Sequence, residues 1–468
     1  MEIQAENIEQ KEKEKTNTLK NGILSVIGAS IINLIYPSIF SICTFVVYQT
    51  SYIKNRGGNV NINHTMFYYP VVLLFQSIVG LLGGYIYSRI EVHWSNFLGS
   101  ALVILGSLLL YFSKYFALDM VSMAIYGTSV AVIMYPAVTN ACKYFMNRIG
   151  LINGIIETAI SLGSTVFAFI GEEFINPDKI QSREEDFLYD DKIAKKFKNF
   201  LLIQMGCILA AFIIGLFCNK KYKEEEDNNN NNIVKIEQEN NVASTNEVNN
   251  VNIINSANNE LQNNKKNIRK EKIIKVLKSW RFWRYNIISM SQSPISNMVF
   301  SMYRGIGESK RINQTVLQLI GTLNFFVELL FSFVYGILSD YVNFKILLFS
   351  MNILGTIVGF TYCLTFHNNF FFALLTLLIS LQGAAYYSLK DYYLMKVFGT
   401  EIYADISGFI CLFTGIIVII LTFITYYVEQ ILEEKDIAYW IMFSLFGGIN
   451  GIGLVLGLFE DVTPFNYE

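Results

Sequence analysis

The chain of 468 residues is 53% hydrophobic and only 16% charged, with a formal net charge of −2 and a mean hydropathy of +0.37. Soluble domains carry about a quarter charged residues, and the apolar runs here recur at about 20 residues, the length a helix needs to cross the hydrocarbon core. These values exclude a soluble globular protein, give no basis for nucleic-acid binding, and indicate an all-α polytopic membrane protein with the lipid bilayer as its solvent.

Residues 1–20 form a hydrophilic, highly charged tail, unlike a cleaved signal peptide, so the first apolar segment is expected to serve as an uncleaved insertion signal. Segment one runs from about Ile23 to Val47 and holds Asn33, Tyr36 and Pro37, the proline being expected to bend the helix. A loop with the sequon Asn63-His64-Thr65 leads to segment two, about Phe67 to Tyr87. Segments three to five span about Asn96–Phe112, Leu118–Ala141 and Gly150–Ile170, and a long mixed-charge loop precedes segment six, about Phe200–Phe217. Residues 219–278 break the pattern. Their Asn-, Lys- and Glu-rich stretch lacks the apolar content to fold and reads as a disordered cytoplasmic linker. Its basic end, RKEKIIKVLKSWRFW, is expected on the membrane surface with Trp280 and Trp283 at the headgroups. Segments seven to twelve follow at about Phe282–Tyr303, Thr315–Ser339, Phe344–Phe366, Phe370–Met395, Ile406–Tyr427 and Ala438–Phe459. The layout is thus about 12 transmembrane helices in two six-helix halves, 21–218 and 279–468, an arrangement built from nested repeats in one large class of transporters.

The halves share a local pattern. Lys143-Tyr144-Phe145 is followed by Gly154, and Lys396-Val397-Phe398 at nearly the same distance by Gly408. Segment five is rich in small residues (Gly150, Gly154, Gly163, Ser164), which let helix backbones approach closely in a bilayer. Lys and Arg distribution, and above all the basic linker, put both termini and the linker in the cytoplasm, with the sequons at Asn63 and Asn313 on the opposite face.

Polar residues recur at helical spacing. In segment ten Gln382, Tyr386, Lys390 and Tyr393 share a face; segment seven offers Gln292, Ser293, Ser296, Asn297 and Tyr303 around Pro294, and segment eight offers Asn324, Glu328 and Ser332. Segment five adds Glu157, Ser161 and Ser164, segment four Tyr126 and Asn140, and segment one Asn33 and Tyr36. Ionisable residues at membrane depth are costly and therefore functional candidates. Glu328, midway along its segment, either binds a coupling proton or fixes a neighbouring helix; Glu157 either serves the site or pairs with Arg148 or Lys143; Lys390 and Asp391 read as an ion pair near the inner mouth.

The stretch from Tyr126-Gly127 through Tyr135-Pro136, KYFMNRIG (Lys143–Gly150) and Gly163-Ser164 resembles helices four and five of the oxalate/formate antiporter and monocarboxylate porter branches of the major facilitator superfamily. GILSDYVNFK, Gly336–Lys345, is similar to the superfamily's loop signature, with Asp340 in place and Tyr341 where an arginine is expected; in the first-half counterpart, Arg89 is kept and Ser88 replaces the Asp. The resemblance implies that helices one, four, seven and ten line a central cavity and that Asp340 and Arg89 act in gating. It also implies a proton-coupled secondary transporter, with a monocarboxylate-type anion favoured. Segments eight and eleven, however, hold no Lys or Arg, which leaves Lys390 as the basic side chain for an anion. A neutral, zwitterionic or cationic solute such as an amino acid, or a sensor on the same fold, stays open.

An enzyme is not indicated: no metalloprotease, phosphate-loop or nucleophile-elbow motif is present. The six cysteines form no CxxC pair and the three histidines show no ligand spacing, so neither metal nor cofactor is expected. The partners implied are a small solute, protons and lipid, in the plasma membrane or an organelle membrane.

Overall fold

The computed structural model describes residues 2–34, 41–83, 86, 90, 92–218, 267–365, 368–432, 434–460 and 462–467, and these contain helices and no strand. Segment one is carried by α1 (Glu2–Asn33) and α2 (Ile42–Lys54); Tyr36 and the bend at Pro37 lie outside the described residues. Segments two to six are α3 (Tyr68–Gly80), α4 (Val92–Phe112), α5 (Phe116–Tyr144), α6 (Ile149–Ile175) and α7 (Asp191–Cys218). Segments seven to twelve are α8 (Trp280–Ser309), α9 (Gln314–Tyr341), α10 (Phe344–Thr361), α11 (Asn369–Phe398), α12 (Tyr403–Ile431) and α13 (Lys435–Gly457). Ser88, Arg89 and linker residues 219–266 also lie outside the described residues.

Two helix ends depart from the apolar runs. α1 reaches back through the charged tail to Glu2, and α7 starts at Asp191, well ahead of Phe200. In α7 the reason is periodicity: Ile193, Ala194 and Phe197 are buried while the charged residues among them turn outward, an amphipathic turn that apolar-run length does not register.

Among the described residues nine helices, α4–α7 and α9–α13, are long and apolar enough to cross a membrane. Their outward faces leave Leu105, Phe169, Ile213, Phe326 and Ile420 exposed, a surface suited to lipid and not to water. The protein is a multi-pass integral membrane protein. α8 is the informative exception. Ser289, Ser291, Gln292, Ser293, Ser296, Asn297, Arg304 and Glu308 are all buried in it, sheathed by α11, α12 and α13. The hydroxyls of Ser291, Ser296 and Ser301 bond back along the helix, as Ser291 does to the Ile288 carbonyl (2.7 Å), so these polar residues meet partners and not lipid.

Helix pairings occur twice. α3 packs on α5 as α9 packs on α11; α4 packs on α7 as α10 packs on α13; α1 packs on α7 as α8 packs on α13. The α3–α12 pairing likewise answers α6–α9, each pairing recurring when the segment number is shifted by six around the cycle. Both of these last crossings are built on glycine. A Cβ on Gly154 would stand 3.0 Å from the Gly336 Cα, and one on Gly408 would stand 2.5 Å from the Gly80 carbonyl carbon. Gly154 and Gly408 are the residues that follow the repeated Lys-x-Phe.

Two faces can be told apart. The linker face collects the 145–150 turn, the α9–α10 turn, Thr400 and the helix 267–278, whose Arg269 and Lys272 pair with Asp405 and Glu401, both at 2.7 Å. Trp280, just beyond, is exposed, in keeping with a headgroup position. The far face collects the 55–67 segment, the long 176–190 loop and the α8–α9 turn, joined by the Arg56–Asp191 (2.8 Å) and Ser182–Glu308 (2.7 Å) contacts. Asn63 and Asn313 both stand there, the latter capping α9 through the Thr315 amide at 2.8 Å.

Candidate functional site

Between the two faces, seven helices (α3, α5, α6, α8, α9, α11 and α12) enclose a cavity of about 80 Å³. A water needs about 10–15 Å³ of such space, so the chamber takes several waters or a small solute. Residues near the middle of each helix supply it. On α6 these are Glu157, Ser161 and Ser164; on α8, Ser293, Ser296 and Asn297; on α9, Phe325, Glu328 and Ser332. α11 brings Tyr386, Tyr387 and Lys390, and α12 brings Cys411 and Thr414. Glu157, Ser161 and Ser164 follow i, i+4, i+7, and spacings of three, four or seven likewise place the residues of α8, α9 and α12 on one helix face. Of the lining expected from the resemblance, segments four, seven and ten contribute; segments two, five, eight and eleven contribute as well, and no described residue of segment one does.

The polar groups of the chamber are unequally partnered. Tyr387 donates to the side-chain Oδ1 of Asn297 at 3.0 Å, and its hydroxyl stands 3.5 Å from that of Tyr69. Lys390 Nζ lies 3.4 Å from Asp391 Oδ1 and 3.7 Å from Cys411 Sγ. Glu157 is 7% exposed, and its Oε1 has no hydrogen-bond partner among the described residues; Arg148 bonds to the Tyr341 hydroxyl. Glu328 lines the same cavity from the adjoining helix, half-buried, its Oε1 turned toward Gly383 of α11.

Other residues expected on the pathway face neighbouring helices. Gln292 donates to Asn352 (2.8 Å), Gln382 to the Gln292 carbonyl (3.2 Å), and Asn324 accepts from Ser380 (2.9 Å). Tyr126 bonds to Ser107 (2.8 Å), Asn140 donates to Ser25 (2.7 Å), and Asn33 donates to its own helix at the Ala29 carbonyl (2.7 Å). None of the six lines the chamber. The structure therefore brings together Asn297, Tyr386, Lys390, Glu328 and Glu157 and leaves these six outside the chamber. Tyr36 and Arg89 lie outside the described residues.

Each face is closed. On the linker face Asp340, at the end of α9, accepts from the Gly150 amide (3.3 Å) and the Leu151 amide (3.0 Å), so its carboxylate caps the N-terminus of α6 and meets the positive end of that helix's dipole. Arg148 bonds to the Tyr341 hydroxyl beside it. On the far face Arg304, fully buried, donates to Glu308 (3.1 Å), Glu172 (3.0 Å), Tyr48 (3.1 Å) and Gln314 (3.2 Å). Tyr48 donates on to Glu172 (2.9 Å), and Tyr189 of the long loop donates to Glu308 (2.6 Å). Burial pushes the Tyr189 phenol well up, which keeps its proton available for that bond. Residue spacing did not single out this network; its one signal is the Arg304/Glu308 pair at i, i+4 on an already polar helix.

No family model matches the chain, and no curated protein matches it either.

Proposed function

We propose that the protein is a secondary active transporter of the major facilitator type, moving a small organic solute by alternating access and coupled to protons. The observation that carries this reading is the central chamber lined by Glu157, whose buried Oε1 has no hydrogen-bond partner among the described residues, and by the half-buried Glu328. A carboxylate left so at membrane depth is costly unless a proton or a cation neutralises it. A group that must be neutralised, placed where a solute binds, is the simplest means of linking the two. The pairing of helices that recurs after six segments supports two six-helix halves, 21–218 and 279–468, and the glycine crossings α6–α9 and α3–α12 give them smooth contacts on which to rock. The partners are then the solute, protons and the bilayer of a plasma or organelle membrane.

The test is uptake into proteoliposomes holding the full chain, with and without an imposed pH gradient. Glu328→Gln is expected to abolish gradient-driven uptake at normal abundance. Gradient-driven uptake by that variant at the wild-type rate would remove Glu328 from coupling, and the absence of flux for every solute would overturn transport.

A further inference from the structure

Resting on that reading, we infer that the solute carries a protonated amine, as an organic cation or an amino-acid zwitterion, held between Glu157 of α6 and Glu328 of α9. Both carboxylates line one chamber from adjoining helices; the buried Oε1 of Glu157 has no hydrogen-bond partner among the described residues, and Glu328 stands half-buried on the same wall. Glu157 is more than nine-tenths buried, so its free oxygen is directed at the cavity and not at bulk water. An ammonium offers three donors and a charge, which is what two acceptor-only groups lack.

The same chamber is poorly made for a lone carboxylate. Its one lining cation is Lys390, whose ammonium already stands 3.4 Å from Asp391, and no arginine is among the residues that line it. A monocarboxylate would therefore meet two like charges and a cation opposed by its own neighbour. A zwitterion fits both ends: its ammonium toward Glu157 and Glu328, its carboxylate toward Lys390. The rings of Tyr69, Phe300, Tyr386 and Tyr387 on the wall add a favourable surface for a cation.

The experiment uses matched probes on the wild-type chain. Three carbon skeletons (a branched chain of five to six carbons, a three-carbon chain and a benzyl group) are each offered as amine, α-amino acid and carboxylate. Thermal stabilisation in detergent reads binding, and proteoliposome uptake reads flux. Amines or amino acids are expected to stabilise and to enter, and carboxylates of the same skeleton to do neither. Glu157→Gln and Glu328→Gln should each weaken amine binding about ten- to a hundredfold, the loss of one charged hydrogen bond. Lys390→Met should weaken the amino acids and spare the amines. Uptake of carboxylates without amines would overturn the charge assignment and leave transport standing. Amine binding without flux of any probe would support the amine site and overturn transport. Neither binding nor flux with all nine probes would overturn the inference.

Discussion

The two faces of the molecule are closed by different physics. On the linker face, backbone meets backbone at Gly154–Gly336 and Gly408–Gly80, and Asp340 adds a helix cap at an only partly buried position. On the far face a fully buried arginine is bonded to two acids, two tyrosines and a glutamine drawn from α2, α6, α8, α9 and the long loop. Parting the first contact exposes little that is charged. Parting the second returns an arginine and two carboxylates to water, which recovers the hydration that burial removed; for a well-bonded buried cluster the two terms roughly balance. Both closures can therefore open without a large penalty. They should respond in opposite ways to mutation, however: removing one member of a charged cluster strands the others, whereas a glycine contact is lost only by filling it.

The largest effect is expected from Arg304→Gln. With the guanidinium gone, Glu172 and Glu308 would be buried together without their cation, a cost of about 3–5 kcal/mol confined to the closed far face. The equilibrium should shift about a hundredfold or more toward an open far face. Cys411, on the cavity wall, reports this in a chain whose other five cysteines are replaced. A membrane-impermeant maleimide added at the far face should label it much faster than in the parent, and transport should stop. Replacing Arg304, Glu172 and Glu308 together by methionine should restore slow labelling, because no charge is then stranded. Fast labelling in the triple variant would mean that shape, not charge, closes this face.

Gly408→Ala should have the mirrored and smaller effect. The added methyl meets the Gly80 backbone, an overpacking cost of about 1–3 kcal/mol, and labelling of Cys411 should now rise from the linker face. Gly206, where an added Cβ would meet nothing within 4 Å, supplies the control: Gly206→Ala should change neither labelling nor uptake. Equal effects at the two glycines would show that helix propensity, and not the crossing, is being measured.

The contrast also explains what could be read in advance. Glu157, Glu328 and Lys390 were legible because an ionisable side chain in an apolar run has few roles, and helical spacing put Asn297 and Tyr386 beside them. Spacing assigns a face but not what the face meets. Gln292, Gln382 and Asn324 have the same periodicity as the chamber residues, yet each turns to a neighbouring helix, because Asn352 or Ser380 happens to stand across the way. The far-face cluster was hidden for a stronger reason. Arg304 near a segment end reads as a charge at the membrane edge, and only the arrival of Glu172 and the 176–190 loop, distant in sequence, buries it.

The smallest effect belongs to Asp340→Asn, and its salt dependence sharpens the comparison most. The amide keeps one acceptor for the Gly150 and Leu151 amides and loses the charge facing the α6 dipole, a cost of about 1 kcal/mol, or roughly a fivefold shift toward an open linker face. Because Asp340 is only partly buried, added salt should already screen that charge in the parent. The parent and Asp340→Asn should then converge in Cys411 labelling as ionic strength rises from about 0.01 M to 1 M, where the Debye length falls from about 30 Å to about 3 Å. Parent and Arg304→Gln should stay apart over the same range, since the far-face cluster is fully enclosed. Convergence of both pairs would place the Arg304 cluster in contact with solvent and remove the distinction between the two faces; convergence of neither would make Asp340 a steric cap whose charge is irrelevant.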